Sequence, residues 1–152
     1  MSITIEKKLE ALTRISETPT VPKKGQQAQE PTPEQQKDQF RKLFAEIDKR
    51  VFESEMYLKQ ELSRTMLARD LKTNIRYVTL AIKQETGCSF TQYINNYRVA
   101  RAITLMRDMN DRNSVQKIAL TCGYTTVSSF YRNFRSVTGQ TPVAYLERFA
   151  EK

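Results

Sequence analysis

The sequence contains no histidine and no tryptophan, and only two cysteines and four glycines among 152 residues. Without histidine there is no imidazole to serve as a general base near neutral pH. Cys88 and Cys122 are too few and too far apart for a zinc site or a CxxC redox pair, and free thiols suit a reducing compartment. These shortages argue against catalysis, a bound metal and a cofactor. No apolar run approaches the roughly 18 residues that a membrane-spanning helix needs, and the N-terminus lacks the apolar core of a signal peptide. The expected location is the cytoplasm, with no membrane partner.

Positive charge is in excess: 25 Lys and Arg face 17 Asp and Glu, a formal net charge of +8. Residues 1–39 hold six of each sign, so the remaining 19 basic and 11 acidic side chains carry the whole surplus. A basic compact domain favours polyanions, chiefly nucleic acid or an anionic membrane surface. Surplus lysine on a solvated surface is the commoner meaning of charge by itself.

Along the chain, Ile5, Leu9 and Leu12 share one face of a short segment that predicts a conditional helix. Residues 17–36 hold four of the five prolines and almost no large apolar side chains, a composition that cannot repay the entropy of ordering. Residues 1–36 are therefore expected to form a flexible tail or linker, and the folded domain to occupy 37–152. Phe40, Leu43, Phe44, Ile47 and Val51 recur at helical spacing and predict a one-faced helix ending near Phe52. Ser63 is placed to cap a helix carrying Leu67, Ala68 and Leu71, and Asn74 to cap the next, with Val78 and Ile82 inward. Tyr93, Ile94, Tyr97, Ala100, Ile103 and Leu105 then lie on one long helix of about 28 Å at 1.5 Å per residue.

The most informative stretch runs from Ser114 to Phe149. Ser114 is a good N-cap, and Ile118, Ala119 and Cys122 recur at helical spacing before Gly123, which predicts a helix stopping at Cys122. After the turn, Phe130, Phe134 and Val137 fall at i, i+4, i+7 and predict a buried stripe, while Ser128, Arg132 and Arg135 repeat on another face. Short hydroxyls beside guanidinium groups suit the floor of a major groove. An ordinary helical hairpin with a solvated basic face is the competing reading.

A copy of this stretch lies upstream. A shift of 52 residues superposes Val78 on Phe130, Ile82 on Phe134, Lys83 on Arg135, Thr86-Gly87 on Thr138-Gly139, Ser89 on Thr141 and Tyr93 on Tyr145. Ala68 meets Ala119 at 51, so the second turn is one residue longer, as loops tolerate. The repeat predicts an all-α fold of about seven helices, a homeodomain-like tandem. Its parts are a first helix-turn-helix at about 63–87, a linker helix at about 89–108, a second helix-turn-helix at about 114–139 and a closing helix at about 141–150. Helix N-termini at Ser89, Thr91 and Thr141 can hold DNA phosphates, although plain capping explains the same residues. Two heads at the ends of such a helix can enter successive major grooves, about 34 Å apart.

The run SVQKIALTCGYTTVSSFYRNFRSVTGQTPVAY closely resembles the signature of the AraC/XylS family of bacterial transcription regulators. LARDLKTNIRYVTLAIKQETGCSFTQYINNYRV is similar to the variant common in Bacteroidetes regulators, and the resemblance covers roughly residues 55–149. It implies a regulator, an activator, that reads asymmetric double-stranded promoter DNA as a monomer or weak dimer and recruits RNA polymerase. By position in the motif, base contacts are implied for Arg76, Thr79 and Leu80 in the first head and for Val127, Ser128, Ser129 and Arg132 in the second. Lys83 and Arg135 join Ser89, Thr91 and Thr141 as phosphate contacts. Leu80 departs from the pattern, because it fills the slot of Arg132 and cannot make a bidentate guanine contact. The family commonly carries an effector domain ahead of this one, and 39 polar residues are too short to be it. Two rival readings follow: a decayed regulator acting as a protein-interaction module, and a basic domain packing DNA without sequence preference.

Overall fold

Short polar caps set the helix boundaries. The computed structural model describes residues 30–108 and 114–150, over which the regular elements are seven α-helices and one 3-10 turn. These are α1 (Pro33–Glu53), the 3-10 turn (Met56–Leu58), α2 (Arg64–Asp70), α3 (Ile75–Thr86), α4 (Phe90–Asp108), α5 (Val115–Thr121), α6 (Val127–Thr138) and α7 (Pro142–Ala150). Ser63, Asn74, Ser114 and Thr126 each accept a backbone N–H through a side-chain oxygen at the start of α2, α3, α5 and α6. Gly87 and Gly139 end α3 and α6 in the left-handed conformation. The all-α tandem expected from the repeat is the observed fold.

Helix α1 begins four residues before the expected boundary at Lys37. Thr32 Oγ1 accepts from the Gln35 amide at 3.2 Å, and Gln35 Oε1 accepts from the Thr32 amide at 2.9 Å, closing a capping box. Pro33 sits at N1, where a missing N–H costs nothing. The proline-rich composition concealed this local start. The helix expected around Ile5–Leu12 lies outside the described residues.

Two apolar cores share α4. Phe40, Ile47 and Val51 of α1 pack with Leu67, Ala68, Val78 and Ile82 of the first head and with Tyr93 and Ile94 of α4. Val99, Ala102 and Met106 of α4 pack with Ile118, Ala119, Cys122, Tyr124, Phe130 and Phe134 of the second head. Ala119 is fully buried, as a close helix crossing requires. The expected Val137 stripe does not hold: Val137 is 45% exposed. It borders an open groove with Cys88, Gln92 and Asn133 instead of entering the core. Ala100 is likewise exposed, whereas Asn95, a polar residue, is buried in its place along α4.

Helix α1 lies across the first head. Phe40 meets the Tyr77 ring edge-on at 5.7 Å, Gln84 donates to the Lys37 carbonyl at 3.0 Å, and Arg50 pairs with Asp70 at 2.9 Å. Asp48 accepts hydrogen bonds from both Tyr93 and Tyr97 of α4. Burial together with this carboxylate raises both phenol pKa values above their ordinary range.

Candidate nucleic-acid interface

In the second head, Ala119 of α5 is fully buried in the core that α6 shares, and α6 turns Phe130 and Phe134 inward with no exposed surface. The opposite face of α6 presents Ser128, Arg132 and Arg135, all exposed. Neither arginine makes a hydrogen bond or ion pair with the described residues, so both guanidinium groups keep their full donor capacity. Together with Tyr131, Ser136 and Thr141 they line an open groove.

Tyr131 was missed by sequence reasoning, although the 52-residue shift places it on Thr79, already a candidate. Val127 and Ser129 are half-buried at the flanks of this face, and the Ser129 carbonyl accepts from Asn133 at 2.9 Å. Thr141 Oγ1 accepts from the Ala144 amide at 3.1 Å, so it caps α7 while lining the groove.

The corresponding face of the first head has fewer free donors. Arg76 is exposed and without a partner among the described residues. The Thr79 hydroxyl donates to the Ile75 carbonyl at 3.0 Å and accepts from Arg64 at 3.3 Å. Leu80 is 37% exposed and Ile75 42%, giving an apolar surface where the second head offers arginine. Lys83 Nζ donates to the Gly87 carbonyl at 2.9 Å and so completes the C-terminus of its own helix. Ser89 and Gln92 form a reciprocal cap, with the Gln92 amide donating to Ser89 Oγ at 3.2 Å and the Ser89 amide donating to Gln92 Oε1 at 3.1 Å. Thr91 is exposed. Arg76 and Leu80 therefore share an outward face with a Thr79 already engaged.

Among the described residues no cluster of acidic or cysteine side chains is arranged to hold a metal ion, and no helix is long and apolar enough to cross a membrane. Two helix-turn-helix units, each with an outward second helix, are the decisive arrangement. The family model described as "Helix-turn-helix domain" matches residues 67–148, more than half of the chain. The chain belongs to the AraC-type helix-turn-helix family. The transcriptional activator RhaR of Mannheimia succiniciproducens is 33% identical over 95 residues, covering 62% of this chain and 34% of RhaR. The transcriptional regulator GadX of Escherichia coli O6:H1 is 36% identical over 69 residues, covering 45% of this chain and 24% of GadX. The chain thus spans about a third or less of these relatives. The DNA-binding domain of AdpA, a global transcriptional factor solved with a target DNA, superposes with a TM-score of 0.60 at 23% identity, covering 69% of this chain and 90% of that domain. That likeness establishes the AraC-type fold.

Proposed function

We propose that this chain is a sequence-specific double-stranded DNA-binding transcription regulator that places α3 and α6 in successive major grooves. The observation that carries the reading is the outward face of α6, where Ser128, Arg132 and Arg135 stand exposed beside one another. Arg132 is assigned a guanine, since its fork matches the two acceptors on that base's major-groove edge. Ser128 and Val127 contact neighbouring base edges, with Ser129 at the margin. Arg135, Thr91 and the caps at Ser89 and Thr141 face phosphates, and Lys83 joins them only by releasing Gly87. In the first head Arg76 is the polar reader, Thr79 presents its methyl, and Leu80 covers a thymine methyl. The relatives named as regulators support this reading. Activation, the role of the relative RhaR, and recruitment of RNA polymerase belong to the same proposal.

The test is selection of bound fragments from the source genome, followed by anisotropy titration at several salt concentrations. Affinity must fall steeply as salt rises, because bound phosphates release counterions. Arg132→Ala should remove about 1–3 kcal/mol of discrimination at one base pair. Equal loss on cognate and random duplex for Arg132→Ala would exclude direct readout there. Leu80 favours one rival, the protein-interaction module, and failure to bind any duplex at low salt would decide for it.

A further inference from the structure

Lys72 and Gly123 occupy equivalent places in the two turns, 51 residues apart, and both have positive φ, 55° and 93°. The first turn adopts its left-handed backbone with a lysine. The glycine of the second turn answers an additional requirement, which is space. A Cβ at position 123 would lie 2.8 Å from the Leu58 carbonyl oxygen and 3.1 Å from that of Tyr57. The turn of the second head therefore rests directly on the backbone of the 3-10 turn that leads into the first.

Side chains close the same contact. Arg98, midway along α4, donates through Nε to the Tyr57 carbonyl at 2.7 Å and through Nη2 to the Lys59 carbonyl at 2.9 Å. Its guanidinium lies 5.4 Å from the centroid of the Tyr124 ring. Gln60 Nε2 donates to the Tyr124 carbonyl at 3.3 Å. From Tyr124 the chain of hydrogen bonds continues inward: its hydroxyl donates to Asn95 Oδ1 at 2.9 Å, and Asn95 donates to Asn133 Oδ1 at 3.2 Å. Asn133 in turn donates to the Ser129 carbonyl within α6. Carbonyls beside the first head are thus linked, bond by bond, to the second recognition helix.

We propose that this contact is a clasp, with Arg98 as its positioning residue, that fixes the two heads relative to each other and sets the single half-site spacing they accept. A lone helix joins two heads at one place and leaves bending and twisting free; a second contact beside it closes a ring and removes that freedom. The consequence for DNA rests on the proposed reading that both α3 and α6 enter grooves, whereas the rigidity does not.

Two measurements test it. Without DNA, the distance between spin labels at Arg76→Cys and Ser136→Cys, both exposed positions, is recorded in a Cys88→Ser background that leaves Cys122 buried. The expected result is one narrow distribution in that background, broadened by Arg98→Ala and, to a lesser degree, by Gln60→Ala, whose exposed position spares the fold. Equal widths in all three overturn the clasp. With DNA, inserting one base pair between the half-sites of the selected fragment displaces them by about 3.4 Å and about 34°. The unaltered chain should lose about tenfold in affinity, the order of one mismatched base pair, and Arg98→Ala should bind the two spacings within about threefold of each other. Uniform weakening by Arg98→Ala on both spacings, as a merely structural residue would give, also overturns it. A chain with no preferred fragment refutes the proposed function and leaves the label distances to decide the clasp.

Discussion

If Leu80 covers a thymine methyl, the contact can be removed from either side. Replacing thymidine by deoxyuridine deletes the methyl and nothing else on the base edge, and Leu80→Ala deletes the side chain that would touch it. Leu80 is 37% exposed, so it has free apolar surface to bury, and its truncation leaves Val78, Ala81 and Ile82 of the core in place. Alanine is also the better helix former, so α3 is not weakened by the change. One methyl-sized group taken out of water is worth about 0.8 kcal/mol, or about fourfold in affinity. Pairs that do not interact add within about 0.3–0.5 kcal/mol, so a coupling of this size is measurable. The assay is an anisotropy titration of duplexes in which each thymidine of the first half-site becomes deoxyuridine in turn. At one position the unaltered protein should lose about fourfold and Leu80→Ala should lose nothing further. Arg132→Ala, on the other head, should show no coupling to that position. If every deoxyuridine gives the same ratio with and without Leu80, the apolar face of α3 does not read a methyl.

The remaining predictions concern stability. Phe130 is fully buried, with the rings of Tyr124 at 5.3 Å and Phe134 at 5.5 Å, so Phe130→Ala should cost about 3–5 kcal/mol in urea unfolding. Leu120→Ala, at a site 49% exposed, should stay within about 0.5 kcal/mol, and similar losses for the two would refute the assignment of the core. Burial raises the phenol pKa of Tyr93, Tyr97 and Tyr124 above the ordinary 10.0, with Asp48 adding to the effect at the first two. The folded chain therefore holds protons that the unfolded chain releases above pH 10. Stability should be intact below that pH and fall above it by about 1.4 kcal/mol per pH unit for each tyrosine. Urea midpoints that stay level through this range would count against the buried phenols.

What the sequence made legible was local chemistry. Ser63, Asn74 and Ser114 cap helices through an amide three residues away, and Phe130 and Phe134 lie one turn apart, so neighbouring residues suffice to predict them. Val137 failed because helical spacing gives the direction of a side chain and says nothing of whether another element reaches it. Local pattern carries no sign that Asn95 is buried, since its partners Tyr124 and Asn133 are 29 and 38 residues away. The start of α1 failed for the opposite reason: a composition averaged over twenty residues hid a four-residue capping box at Thr32–Gln35. At the candidate interface, the exposure of Arg132 and Arg135 followed from periodicity. The engagement of Thr79 by Arg64 and of Lys83 by Gly87 depended on rotamers that sequence does not specify.

The two copies keep in common what folding requires and differ where DNA would be met. Thr86 donates to the Ile82 carbonyl at 2.7 Å and accepts from the Cys88 amide at 3.1 Å; Thr138 repeats this with Phe134 at 2.8 Å and Gln140 at 3.2 Å. That circuit closes each recognition helix with groups already satisfied, so the shared Thr-Gly pair is accounted for by helix termination without a ligand. The outward positions have diverged: Arg76 stands opposite Ser128, Leu80 opposite Arg132, and an engaged Lys83 opposite a free Arg135. Two identical faces would accept a direct repeat and leave the protein free to bind either half-site with either head. On the proposed reading, in which both heads enter grooves and Arg98 and Gly123 hold them at one spacing, unequal faces assign each head its own half-site and so give the protein one orientation on the duplex. A regulator that contacts polymerase from one side of a promoter needs that polarity, and on the same reading the difference between the two faces is its source.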